Sequence, residues 1–295
     1  MTRLKRYLRN VARAALEVFL ITCLISGCTS STNPTYIKEE IDKTIQHICK
    51  EEYKLDVKAK LVGETVWIYV PVDDLFVKSD KPEKYIEKFA IEQIKNEFNA
   101  ETLKFDYAIK PIPEQEKYQE FKFNKAVAEK INNVWKVLRR VIFSLERQKT
   151  EEPKFFCLIT ADIKNGFEIK ELFYYLDLKK VSYNFISPGE YQHRSIQDSN
   201  VSEAIIGDKE GLHVEYKNIT LEDFIAAQIQ HRIKLKFQKP EVNEKADIDK
   251  EIMKVVVYTI KTYQFRDFNT VELNNLLTSN KITLNQGAVW ARPTE

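Results

Sequence analysis

A cysteine at position 28, four scattered histidines, a few clustered carboxylates and one dense aromatic run are the side chains here that could do chemistry. His47, His193, His213 and His231 are far apart in sequence. A metal site would need folding to bring them together with carboxylates at ligand spacing, and none is expected. His47 lies on a helix beside its apolar face, and the His193-Arg194 and His231-Arg232 pairs read as helix-surface decoration. Paired carboxylates can hydrolyse glycosides, their separation deciding the stereochemical outcome. Asp73-Asp74, however, closes a hairpin and Asp162 precedes an Asn-Gly turn, both ordinary turn positions for acids. None of the six glycines after residue 27 stands in GxGxxG or GxxxxGK[ST] spacing, and GxSxG, HExxH and CxxC do not occur. Without those arrangements a glycine-rich phosphate cradle, a nucleophile elbow and a helical zinc site are not expected. No catalytic residue and no cofactor are assigned.

The aromatics are more suggestive. Phe173-Tyr174-Tyr175 is followed closely by Tyr183 and Phe185. Strand alternation would send Phe173 and Tyr175 to one sheet face and Tyr174 to the other. One face can fill a core while the other meets a partner, since tyrosine is favoured in interface hot spots. Phe173, Tyr174, Tyr175 and Tyr183 are therefore candidate partner-surface residues; the alternative is a sheet whose aromatics simply fill beneath helices. Cys49 and Cys157 could join as a disulfide in an exported protein. Their apolar neighbours (Ile48, Phe156, Leu158) fit two separate buried thiols as well.

The N-terminus bears on location. Arg3, Lys5, Arg6, Arg9 and Arg13 precede the apolar run Val18–Ile25, and small residues then lead to Cys28. That order is a secretory signal, and the run is shorter than the ~20 residues a spanning helix needs. Ile25-Ser26-Gly27-Cys28 resembles the lipobox of bacterial lipoproteins: an aliphatic residue, two small residues, then cysteine. The resemblance implies cleavage before Cys28 and a diacylglycerol on its thiol. Thr29, rather than an aspartate, comes next, which by the same resemblance implies the outer membrane of a two-membrane envelope, facing periplasm or cell surface. Two or more acyl chains anchor firmly, at roughly 0.8 kcal/mol per buried CH₂. The resemblance covers residues 1–28 and says nothing of activity.

The first 27 residues carry five of the 46 basic and one of the 44 acidic side chains, leaving the remainder at −2. Interleaved charge near neutrality argues against nucleic acid as a partner. Residues 28–35 form a polar tether, and the rest of the chain is long enough for a real hydrophobic core.

Periodicity places the elements. Ile37, Ile41, Ile45 and Ile48 share a helix face. Tyr53 to Leu61 alternate as a strand, Gly63-Glu64 turns, and Val66–Val70 returns. Pro82 and the spacing of Ile86, Phe89, Ala90, Ile94 and Phe98 predict a helix over 82–98. Leu103 to Ile109 alternate as a strand ended by Pro111 and Pro113, with 111–123 a linker or loop between units 36–110 and 124–295. The strongest helix spans about 124–147, its Val127-to-Leu145 stripe widened by Trp135 and Ile142. Phe155–Ala161 suits a buried strand, and Asn165-Gly166 is a hairpin turn. Ser187-Pro188-Gly189-Glu190 resembles a capping box, and Thr220 starts another helix. A helix near 248–263 and a hairpin near 271–284 close the chain.

A helix and then a hairpin thus recur near 37–72, 125–176 and 248–285. The expected class is α+β, with antiparallel hairpins, long helices packed on one face, and these units as candidate repeats. The leading functional expectation is a lipid-anchored, non-catalytic scaffold or assembly subunit, bound to the membrane through Cys28 and to an envelope protein partner. One alternative is a small-molecule or glycan-binding lipoprotein with an aromatic cleft near Phe173–Tyr183. Another is an envelope hydrolase with a dispersed acidic or histidine site. Convergent Asp and His in a pocket would favour the enzyme, an aromatic cleft without them the binder.

Overall fold

Helix α1 (Ile41–Tyr53) buries Ile41, Ile45, Ile48 and Cys49, and stops where Lys54 turns left-handed at φ 56°. The computed structural model describes residues 40–145, 153–238, 242–243 and 245–293. Cys28, its leader and the tether lie outside the described residues. The hairpin β1 (Lys58–Val62) to β2 (Thr65–Val72) turns at Gly63, φ +59°, where a Cβ would meet the Asn218 side chain at 2.5 Å. That closeness lets Asn218 Oδ1 accept from the Glu64 N–H at 2.8 Å, tying the turn to a distant loop.

The first sheet has the order β1-β2-β5-β6-β7, with β5 (Phe155–Asp162), β6 (Phe167–Tyr174) and β7 (Ile196–Val201). Every residue of β5 is buried, as a continuous apolar run requires when both faces are covered. Val66, Ile68, Phe156 and Leu158 pack with α1 and α2 (Lys125–Leu145) through Val134, Leu138 and Val141. On the other face Trp67, Tyr69, Phe155 and Ile159 enter a larger core with α5 (Leu221–Gln238), α6 (Ile248–Thr262) and the second sheet. Each such side chain contributes roughly 1.5–3 kcal/mol on burial. Short helices α3 (Tyr175–Ser182) and α4 (Pro188–Arg194) join β6 to β7.

The second sheet has the order β3-β4-β8-β9, with β3 (Phe76–Asn99), β4 (Thr102–Phe123), β8 (Thr270–Asn275) and β9 (Asn280–Asn285), before the short α7 (Gln286–Ala291). The class is α+β, and the three helix–hairpin units are all present: α1-β1-β2, α2-β5-β6 and α6-β8-β9. Each sheet also holds one parallel pair, β2 with β5 and β4 with β8, because the chain leaves each sheet before returning to it.

Two expectations are corrected. Residues 82–98 are strand, not helix: the long ribbon β3–β4 has register shifts between Lys78/Glu83, Glu87/Phe89 and Ile91/Gln93. A bulge inserts an unpaired residue and moves the next side chains to the other face. The apolar spacing thereby lost its period of two and imitated a helix. Residues 111–123 are not a loop either; they continue β4, largely exposed. Pro111 and Pro113 are tolerated because β8 pairs only Thr102–Tyr107, leaving the rest of β4 with a free edge. Each sheet draws strands from both sides of this segment.

Candidate functional site

A cleft of about 950 Å³ opens between α2, β6 and the α3–α4 pair. The amphipathic stripe of α2 buries Val134 and Leu138, which leaves Trp135 half-buried at the cleft wall and Asn132, Lys136 and Arg139 at its exposed rim. Alternation along β6 turns Ile169 and Phe173 to this face and Leu172 to the opposite core. Glu171 shares the face of Phe173 and lies in the cleft lining. Ser187 caps α4 by accepting from the Glu190 N–H at 3.0 Å, while the Glu190 side chain turns to Arg194 and does not close the predicted capping box, and the helix carries Tyr191 into the wall.

The wall is aromatic. Trp135 stands edge-on to Phe173 with centroids 4.5 Å apart, and Phe173 stacks with Tyr191 at 6.2 Å and 12°. A smaller recess of about 170 Å³ shares Asn132, Trp135 and Glu171 with the main cleft. Glu171 therefore sits where the two spaces meet. Among the described residues it makes no side-chain hydrogen bond or ion pair, and burial pushes its carboxyl up to about 7. The buried hydroxyls of Ser182 and Tyr191, both residues of the lining, also lack a hydrogen-bond partner. An orphaned hydroxyl costs about 1–3 kcal/mol; these two are closed off from solvent, which leaves Glu171 as the unpaired polar group open to the cleft.

Behind the wall is a charged brace. Asp177 of α3, 1% exposed, accepts from Arg194 Nη1 at 2.9 Å, and Arg194 Nε donates to Glu190 Oε1 at 2.8 Å. Gln228 of α5 donates to the His193 carbonyl at 2.8 Å, fixing the end of α4 to the core beneath.

The residues singled out from sequence are only partly brought here. Phe173 and Tyr175 are 3% exposed core residues and the half-buried Tyr174 packs against Phe155 and Phe224, so these three line the core instead of forming a partner surface. Helices and the second sheet cover both faces of β6, which alternation alone could not reveal. Tyr183 is exposed beside Phe143. Cys49 and Cys157 are free thiols in separate cores on opposite faces of the first sheet, which rules out their pairing with each other. His47 and His193 are exposed and His231 is half-buried. His213 is clamped between Asp208 (Nδ1 to Oδ2, 2.5 Å) and Glu168 (Nε2 to Oε2, 2.9 Å). Asp162 accepts from the Leu75, Lys164 and Asn165 N–H groups, a turn-forming role, and Asp74 pairs with Lys164. Among the described residues no group of three or more His, Cys, Asp or Glu side chains could hold a metal ion.

Trp135, Glu171 and Tyr191 were not singled out from the sequence as site residues. The signal for Glu171 was present: a lone acid between Ile169 and Phe173 on the inward face of a strand. No family model matches the chain, and neither the curated proteins nor the solved structures give a match.

Proposed function

We propose that this protein is a lipid-anchored component of a bacterial cell envelope that binds a small saccharide-like ligand in the cleft between α2, β6 and α3–α4. The observation that carries the reading is the combination on one wall of the half-buried Trp135 and Tyr191 rings, with Phe173 packed against both, and the Glu171 carboxyl, which has no partner among the described residues. Ligand sites join apolar and aromatic walls to a few convergent polar groups. A sugar ring presents C–H faces to the first and hydroxyls to the second. The carboxylates of the lining are Glu129, exposed at the rim, and Glu171 on the wall. Attachment would rest on the lipid at Cys28; no described helix is long and apolar enough to cross a membrane. Calorimetric titration of neutral oligosaccharides into the detergent-solubilised protein tests the reading. Saturable binding lost in Trp135→Ala, with an unchanged far-UV spectrum, is expected. Equal binding by that variant would place the site elsewhere.

A second reading, a scaffold or assembly subunit, draws on the ribbon β3–β4. Tyr85, Tyr118 and Phe121 are about half exposed there, at 48%, 57% and 55%. Crosslinking from these three positions in the native envelope would identify a protein partner.

A further inference from the structure

We infer that Glu171 meets the ligand of this cleft as a hydrogen-bond donor, through a protonated carboxyl, so that the cleft selects a neutral, oxygen-rich molecule and holds it more tightly in acid than in base. The inference rests on the cleft being a binding site, and goes further by naming the atom that selects the ligand.

The geometry comes from the position of Glu171 in β6. It pairs with Leu158 of the fully buried β5, and Ile169 and Phe173 flank it on the same face. Glu171 is half-buried, and a charged carboxylate set among apolar neighbours normally has a cation or several N–H donors beside it, because desolvating an unpaired charge is expensive. Glu171 has neither. The charged groups facing the cleft from α2 are Glu129, Lys136 and Arg139, all exposed at its rim. Lys136 Nζ is engaged by Asn133 Oδ1 at 2.9 Å, and neither cation forms an ion pair with Glu171. From α4 the facing titratable group is Tyr191, and from β7 comes the uncharged Gln197. Asp177 of α3 is held by Arg194.

With nothing to stabilise the anion, desolvation favours the neutral acid and pushes the carboxyl up to about 7. A neutral carboxylic acid offers one O–H donor and an acceptor oxygen. That pair matches a hydroxyl or an amide carbonyl on a ligand. A cationic ligand would need the ionised form, and its binding would strengthen as pH rises. The two ligand chemistries therefore predict opposite signs.

The test uses the full chain in detergent, with chitotriose as the neutral probe and tetramethylammonium as the cationic one, titrated calorimetrically at pH 6 and pH 8. If only the protonated form binds, chitotriose affinity falls about tenfold between these values. Glu171→Gln keeps a donor but cannot ionise, so its affinity should stay flat across the range, while Glu171→Ala binds weakly at both. Chitotriose affinity in the wild type that is flat or rises from pH 6 to pH 8 overturns the donor role and leaves the cleft as a binding site; tetramethylammonium binding that strengthens over the same range, lost in Glu171→Gln, is expected from the same ionisation. Failure of both probes at both pH values, in a protein with a native far-UV spectrum, overturns the donor role and the saccharide reading together.

Discussion

Arg194 and Asp177 form a buried ion pair at 2.9 Å that locks α4 onto α3, with the aspartate 1% and the arginine 11% exposed. Removing one partner of such a pair leaves the other charge uncompensated, which costs about 3–5 kcal/mol. Arg194→Leu should therefore lower the urea midpoint substantially. It should also weaken oligosaccharide binding under native conditions, because Tyr191 loses the brace behind it. An unchanged midpoint would mean the pair is dispensable.

His213 gives the protein a pH dependence of known sign. Burial disfavours its imidazolium, but the hydrogen bonds to Glu168 and Asp208 outweigh that effect and raise its pKa. Asp208 is also desolvated, yet the His213 bonds and neighbouring N–H groups bring it down to about 2. A raised histidine stabilises the fold fully below its unfolded value of about 6.5, and the contribution disappears as pH rises through the folded value. His213→Gln should be less stable than wild type at pH 6, with the gap narrowing towards pH 9. Parallel stability curves for the two proteins would contradict the clamp.

The two cysteine thiols are pushed up to about 12 by burial. Since the thiolate is the reactive form, native protein should leave Cys49 and Cys157 unlabelled by iodoacetamide. Both peptides should become labelled in urea without reductant. Reductant should not shift the melting temperature.

The ribbon should be the least protected sheet segment. Amides of 114–122, where β4 is largely exposed, should exchange with deuterium much faster than those of Leu103, Phe105, Tyr107 and Ile109, which are buried. Protection of 114–122 that appears only in envelope preparations would indicate a bound partner.

Lipid attachment has its own test. Cys28→Ala should abolish the acyl mass increment and release the protein from the membrane fraction. Persistent membrane fractionation of the variant would exclude the lipobox reading.

Most helices were legible because their apolar spacing was uninterrupted. The stripe from Val127 to Val141 faces the core as read, and Ser187, Thr220 and Asp247 sit at helix starts that local chemistry dictates. The ribbon was illegible because three irregularities scrambled its period, so that Ile86, Phe89, Ala90, Ile94 and Phe98 imitated a helix face. The cleft was hidden for a different reason. Trp135 looked like one more member of a core stripe, and only the placement of α3 and α4 leaves its ring beside open space.

The parallel pairing of β4 with β8 joins Thr102 to Thr270. During synthesis, Leu103, Phe105 and Tyr107 emerge long before the strand that completes their sheet. Until Thr270–Asn275 arrives, the nascent chain presents an unpaired apolar edge, the kind of surface on which incomplete chains aggregate. The C-terminal hairpin therefore acts as a closure step. A chain cut short before residue 270 would carry the entire cleft and still be a client for chaperones.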